Sequence, residues 1–216
     1  MGADIALNYS DTETKLITTV KSLVKIIMGD DEAHGYPHIE RVEKLALWIA
    51  SHYGNQVDKE LLLISVLLHD IGRFAPKANE VNHAVISAEI AEKILKCLGY
   101  PEDRISLVKD IIKSHSYSLN IVPKSIEAKI LSDADKLDAL GAIGIARVFM
   151  HSARFNRSLR DSLNHLKEKI VKLPNLMYTE IARKEAMRRL RIVLDFIKSL
   201  EEELKFIDKI DKTKLT

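Results

Sequence analysis

The chain has a single cysteine, Cys97, among its 216 residues. No internal disulfide can form, which fits a reducing compartment and makes the cytoplasm the default location. No apolar run reaches the roughly 18 residues that suggest a spanning helix, so no membrane partner is expected. The first residues, Met1 to Asp11, lack the basic and apolar regions of a secretory leader. Charge of one sign is also missing: the formal net charge is only +2, which gives no push toward nucleic acid or an anionic surface. Eight glycines and five prolines are few for this length, and Asn-Gly and Asp-Gly pairs are absent. With no period-two alternation either, hairpins and sheets are not expected. What remains is a folded, helix-rich chain, 46% hydrophobic and 30% charged. A single glutamine, Gln56, beside so many charges hints at a thermophilic source.

Apolar spacing of three and four predicts a helix over 12–28, stopped by Gly29. A second runs from near Pro37 to about Tyr53, and a third is capped by Asp58, with Gly72 at its C-terminal end. Asn82 caps a fourth through Leu98; Pro101 opens a fifth that ends near His115. Ser125 to Leu137 is again helical, and the small apolar residues of Ala139 to Phe155 suggest that this helix continues past Gly141 and Gly144 with a kink. Segments 156–171 and 175–207 complete an all-α chain with no repeat or linker. It reads as one domain: 1–29 an N-terminal helix packed on it, 30–155 its core, and 156–216 helices completing it.

One stretch dominates. Leu61 to Leu68 has seven apolar residues in eight and leads directly into His69-Asp70. A helix with no polar face is buried all round, so it carries an imidazole and a carboxylate into the interior. Such a carboxylate needs a counter-charge, either a metal ion or a basic side chain. His69 and Asp70 point about 100° apart on a helix, which leaves the far side of any ion open to other elements. His38 and Asp135, the latter in Asp133-Ala-Asp-Lys-Leu-Asp138, are suitable in type. His34 and His38 have the spacing of a two-histidine zinc helix, but Gly35 and Pro37 between them argue against a shared helix.

His38 in an H-x-x-R-V frame, His69-Asp70 followed by Ile-Gly, and Asp135 in D-A-D-K-L-D-A-L-G resemble the HD-domain phosphohydrolase superfamily, and most closely its small stand-alone hydrolases. The resemblance spans about 30–155. It implies an all-α fold, His38, His69, Asp70 and Asp135 as metal ligands, and hydrolysis of a small phosphate ester such as a nucleotide. Two imidazoles and two carboxylates suit Mn, Fe, Ni, Co or Mg ions with positions left for water and a phosphate oxygen, and offer no thiolate for a structural zinc site. Such an ion lowers the pKa of water and polarises the phosphoryl group. His83 and His115 stand where some superfamily members bind a second metal, or they bind phosphate and move protons. Arg73 and Lys136 suit charge developing on a transferring phosphoryl group, and Asp138 suits orienting a ligand.

Plainer readings stand beside these. Asp133 reads as a helix cap, His34 as a loop residue beside a pocket, and His52, His151 and His165 as structural or surface residues. Gly141 to Gly144 reads as close helix packing, not a dinucleotide loop. Residues 156–216 are a candidate cap or homodimer surface. Two other functions remain open: a di-iron oxygenase on the same type of fold, and a non-catalytic nucleotide-binding module.

Overall fold

A computed structural model describes residues 11–76 and 80–213. Residues 1–10 of the expected N-terminal segment, 77–79 between the third and fourth expected helices, and 214–216 of the C-terminal segment lie outside the described residues.

Nine α-helices and no strand are found among the described residues, as expected for an all-α chain. They are α1 (Asp11–Met28), α2 (Tyr36–Ala50), α3 (Lys59–Leu68), α4 (His83–Cys97), α5 (Glu102–His115), α6 (Ile126–Asp138), α7 (Gly141–Arg154), α8 (Leu159–Glu168) and α9 (Glu180–Thr213). None is long and apolar enough to cross a membrane.

The central element is α3. Every residue from Leu61 to Leu68 is buried, and α1, α2, α5 and α6 all pack on it. Its start is fixed twice: Asp58 accepts from the Leu61 amide at 3.0 Å, and the Asp58 amide donates to Glu127 Oε1 of α6 at 2.9 Å. A capping contact of this kind contributes about 1 kcal/mol. The helix ends at Leu68, four residues before the glycine expected to stop it, and Gly72 lies within a 3-10 turn, Ile71–Phe74. His69 and Asp70 therefore occupy the exit from the helix, not its body. Gly72 instead serves a close approach, and its amide donates to Ser87 Oγ at 2.9 Å. A Cβ there would stand 2.6 Å from both His83 O and Ser87 N of α4. The missing side chain lets the start of α4, with His83, approach Asp70.

The helix expected to run from 125 to 155 is two helices. Leu140 is extended, and Gly141 takes φ +74°, a left-handed conformation that glycine adopts without strain. The chain thus changes direction before α7. Gly144 packs against the end of α6, where a Cβ would collide with Ala139 O at 2.1 Å. Beyond it, α8 begins with a capping box of Ser158 and Asp161, and α9 packs on α6, α7 and α8. Asp133 of α6 holds the entry to α9, accepting from the amides of Tyr178 and Thr179 at 2.9 and 2.7 Å and from Thr179 Oγ1 at 2.7 Å. It lies inside α6 and so is not the helix cap its sequence suggests; it fixes the two residues ahead of α9, where Thr179 Oγ1 accepts from the Ala182 amide at 3.4 Å.

Gly72→Ala should lower stability by about 1–3 kcal/mol, read as a lower urea midpoint with unchanged helical circular dichroism. An unchanged midpoint would mean that the α3–α4 approach is not constrained there.

Candidate metal centre

Two helix ends and one helix interior meet at one point. His38 lies in the first turn of α2, His69 and Asp70 follow α3, and Asp135 belongs to α6. His38, His69 and Asp70 are fully buried, whereas a quarter of the Asp135 side chain is exposed. His38 Nε2 is 3.5 Å from Asp135 Oδ1 and 3.6 Å from Asp70 Oδ2. His69 Nε2 is 3.7 Å from Asp70 Oδ2. Donors held about 2.1 Å from one ion stand about 3–3.5 Å from each other, so each of these pairs is spaced to share a cation with slight contraction. Two overlapping donor groups, His38 with His69 and Asp135, and His69 with Asp70 and His115, each lie within 4.8 Å.

The tautomers are set from behind. His38 Nδ1 donates to Asp138 Oδ2 at 2.7 Å, and His69 Nδ1 donates to the Val66 carbonyl at 2.7 Å. His115 Nδ1 donates to the Ile112 carbonyl in the same way. Carbonyls and carboxylates only accept, so each ring carries its proton on Nδ1 and turns the Nε2 lone pair toward the others. Asp138 is itself gripped by Arg41 Nε at 2.8 Å and Arg147 Nη1 at 2.9 Å. The front of the centre is left open: His38 Nε2, His69 Nε2 and Asp70 Oδ1 are buried without a hydrogen-bond partner among the described residues. A buried unpaired polar atom costs about 1–3 kcal/mol, more for a charge. Three together, converging, fit a divalent cation.

Electrostatics points the same way. Burial pushes the Asp70 carboxyl up, but Arg73 and His69 outweigh it and hold the group well below the usual carboxylate range. Asp135 is likewise held low, against burial, by His38, His69 and His115. Burial takes His69 down to about 4 despite Asp70, so its ring is neutral at pH 7, the state a metal ligand needs. His38 goes the other way: burial and Arg147 oppose protonation, yet Asp138, Asp70 and Asp135 together raise its pKa.

His83, the first residue of α4, and His115, the last of α5, face each other with their Nε2 atoms 3.4 Å apart. They stand 3.3 and 3.6 Å from Asp70 Oδ1. Burial draws His83 down to about 4. Arg73 donates through Nε to Asp70 Oδ2 and lies 3.2 Å from His83 Nε2. The basic partner and the metal-type cluster, alternatives in the sequence, therefore coexist on the same carboxylate. Lys136 is buried, bonds the Ser132 carbonyl at 3.1 Å and its hydroxyl, and lies over the Tyr178 ring. Burial lowers its pKa despite Asp133 and Asp135.

These residues form one end of a cavity of about 410 Å³, into which Arg73, His83, His115, Asp135 and Lys136 all project. That volume is in the range of small-ligand sites. The cavity corrects part of the sequence reading. His151 and His165, read as structural or surface residues, line it, as does His34. His34 lies 4.9 Å from His151 ring to ring, and burial and Arg73 bring it down to about 3. Arg147, the end of the Gly141-Ala-Ile-Gly-Ile-Ala-Arg147 run, has no role in the sequence reading: its Nε donates to the Ala33 carbonyl at 2.8 Å while Nη1 holds Asp138. Arg147 and His151, four apart on one helix face, were the available signal; their apolar setting hid it.

The HD-domain family model matches residues 35–140, the stretch that carries His38, His69, Asp70 and Asp135. Uncharacterized protein YpgQ of Bacillus subtilis strain 168 is 29% identical over 205 residues, spanning 91% of this chain and 97% of that protein. A crystal structure of YpgQ in complex with ADP superposes with a TM-score of 0.70 at 26% identity, covering 87% of this chain and 97% of that one. An HD-superfamily hydrolase from Bacillus thuringiensis gives a TM-score of 0.67 at 33% identity, covering 89% and 98% of the two chains.

Asp138→Asn removes the charge behind His38 and should weaken Mn²⁺ binding about 10–100-fold, read by calorimetry; unaltered affinity would deny Asp138 a role in orienting the ligand. A second expectation concerns acid. His34, His69 and His83 titrate at about 3, 4 and 4 in the fold, against 6.5 when unfolded. The unfolded chain therefore binds more protons at these sites between pH 6.5 and 4, and stability is lost as pH falls through that window. His38, with its raised pKa, opposes this, as does Asp133, whose carboxyl burial pushes up, while Asp70 and Asp135 stay ionised throughout. The metal-free protein should show a lower urea midpoint at pH 5 than at pH 7; an equal or higher one contradicts this balance.

Proposed function

The chain belongs to the HD-domain superfamily, and from that premise we propose that it is a metal-dependent phosphohydrolase cleaving a small phosphate ester, a nucleotide or a derivative. The observation that carries this reading is the set of buried, unpartnered donor atoms on His38, His69 and Asp70, joined by Asp135 at 3.5 Å. These four would hold a divalent ion such as Mn²⁺, Fe²⁺, Ni²⁺, Co²⁺ or Mg²⁺; the overlapping donor group with His115 leaves room for a second. When bound, the ion supplies a Lewis acid for a phosphoryl oxygen and lowers the pKa of water.

The remaining work falls to side chains around it. Asp70 and Asp135, ionised at neutral pH, supply the anionic half of the ligand set. Arg73, anchored on Asp70, presents the rest of its guanidinium to the cavity and to the equatorial oxygens of a phosphoryl group. His83, which burial keeps neutral, and His115, whose Nε2 stands 3.4 Å from that of His83, would take a proton from the attacking water and deliver one to the leaving oxygen. Lys136, pinned by Ser132, keeps its ammonium at the wall where charge on the leaving group develops. Water adds to phosphorus, the ester P–O bond breaks, and the leaving oxygen departs with a proton. The nucleotide preference is supported by ADP in the YpgQ complex and by a basic cavity of ligand size. Residues 30–155 carry the metal-binding core on this reading, 156–216 complete the same domain, and the lone cysteine suits the cytoplasm.

Metal-free protein reloaded with Mn²⁺ should release phosphate from one or more members of a panel of nucleotides and phosphomonoesters. Asp70→Ala should lose that turnover with its far-UV spectrum intact. Turnover retained by Asp70→Ala contradicts the assignment. Two irons per chain with oxygen uptake and no phosphate release would replace it with the oxygenase reading.

A further inference from the structure

The cavity has a second wall that the metal centre does not use. It is built beyond residue 140, where the HD-domain match ends. On α7, Arg147 and His151 are one turn apart and both face the cavity; His165 and Lys169, also four apart, face it from the end of α8. Arg157, in the turn joining these helices, adds a fifth basic group. Asp135, at the opposite end, is the one carboxylate among the described residues that line this space. Among the described residues, neither Arg157 nor Lys169 has a carboxylate partner, unlike Arg154 and Lys167, which pair with Asp31 and Glu201.

The groups are close enough to repel one another. Burial and then Arg157, Arg73 and His165 depress His151; burial, Lys169 and Arg157 depress His165, with only Glu168 acting in the other direction. Arg147 is the rigid part: Nε and Nη1 are fixed on Ala33 and Asp138, and its side chain is 12% exposed, toward the cavity. The charges of Arg157 and Lys169, without a carboxylate partner among the described residues and facing one space, cost electrostatic energy that an anion would relieve. The wall is also within reach of the metal centre, since ring centroids step from His38 to His34 in 6.4 Å and from His34 to His151 in 4.9 Å.

We propose that this wall is a second anion subsite, which takes a phosphate group of the substrate other than the one brought to the histidine–aspartate centre. Arg147 presents donors from a fixed position, and Arg157 and Lys169 close over the outer oxygens. A compound with two linked phosphate groups spans the cavity, whereas a lone phosphate occupies one end. The identity of the occupant as substrate rests on the phosphohydrolase reading; the binding itself does not.

The test is calorimetry on the chelator-treated, metal-free chain with inorganic pyrophosphate and orthophosphate. Pyrophosphate should bind about tenfold or more tightly than orthophosphate. Arg157→Gln with Lys169→Gln should lose most of that margin, while a matched loss of charge outside the cavity, Lys172→Gln with Lys198→Gln, should keep it. All of these side chains are exposed, so folding is not at stake. Pyrophosphate binding no better than orthophosphate, a margin kept by the cavity pair, or an equal loss in the control pair each overturns the proposal. Because no metal or turnover is involved, a chain that hydrolyses nothing could still pass, and an active hydrolase could still fail.

Discussion

The structure turns on one electrostatic constraint: Asp70 is ionised and fully buried beside imidazoles. Removing a carboxylate from water costs several kcal/mol even after relaxation. Its own neighbours meet that cost only in part. Arg73 covers one oxygen, while the other has no hydrogen bond among the described residues. Replacing such a group by a hydrophobe would be the easier route to a stable core, so its retention marks a role other than stability. The converging lone pairs of His38 and His69 give that role a chemistry.

The helices supply this arrangement by where they stop. At the ends of α3 and α5 a histidine turns back to the carbonyl three residues earlier, satisfying an orphan helix-end acceptor and fixing the ring in one motion. Position and tautomer therefore come from the same hydrogen bond. His38 needs a different support because it sits at the start of a helix, and the Asp138–Arg41–Arg147 network provides it. That network also ties α2, α6 and α7 together, so the geometry of the centre and the docking of the C-terminal helices are physically coupled. A chain that lost α7 would lose the arginine behind Asp138.

Much of this was legible before any coordinates. Apolar spacing and caps located the helices because local rules, at Asp58, Asn82 and Ser125, agree with the tertiary result. The His38, His69, Asp70 and Asp135 set was legible through residue type and order, and the structure brings these four together. The break at Leu140 was not, because glycine in a helix and glycine in a left-handed turn look alike without dihedral angles. The early end of α3 was hidden because Ile71 continues the apolar pattern. Asp133 reads as a cap from its local sequence, whereas its bonds go to Tyr178 and Thr179 ahead of α9, since a long-range partner leaves no local trace. The second wall of the cavity escaped for the same reason: Arg147, His151 and His165 look like ordinary helix residues until α7 and α8 fold over the centre.

The most direct test of the account is the free Mn²⁺ electron paramagnetic resonance signal during titration of the metal-free protein. If the unpartnered atoms of His38, His69 and Asp70 form a cation site with Asp135, the first equivalent should be silenced, and substitution of His69 by alanine should restore the signal. A signal that grows in proportion from the first addition, as in buffer, would mean that the buried charge is balanced by the protein alone, and the metal centre would fall.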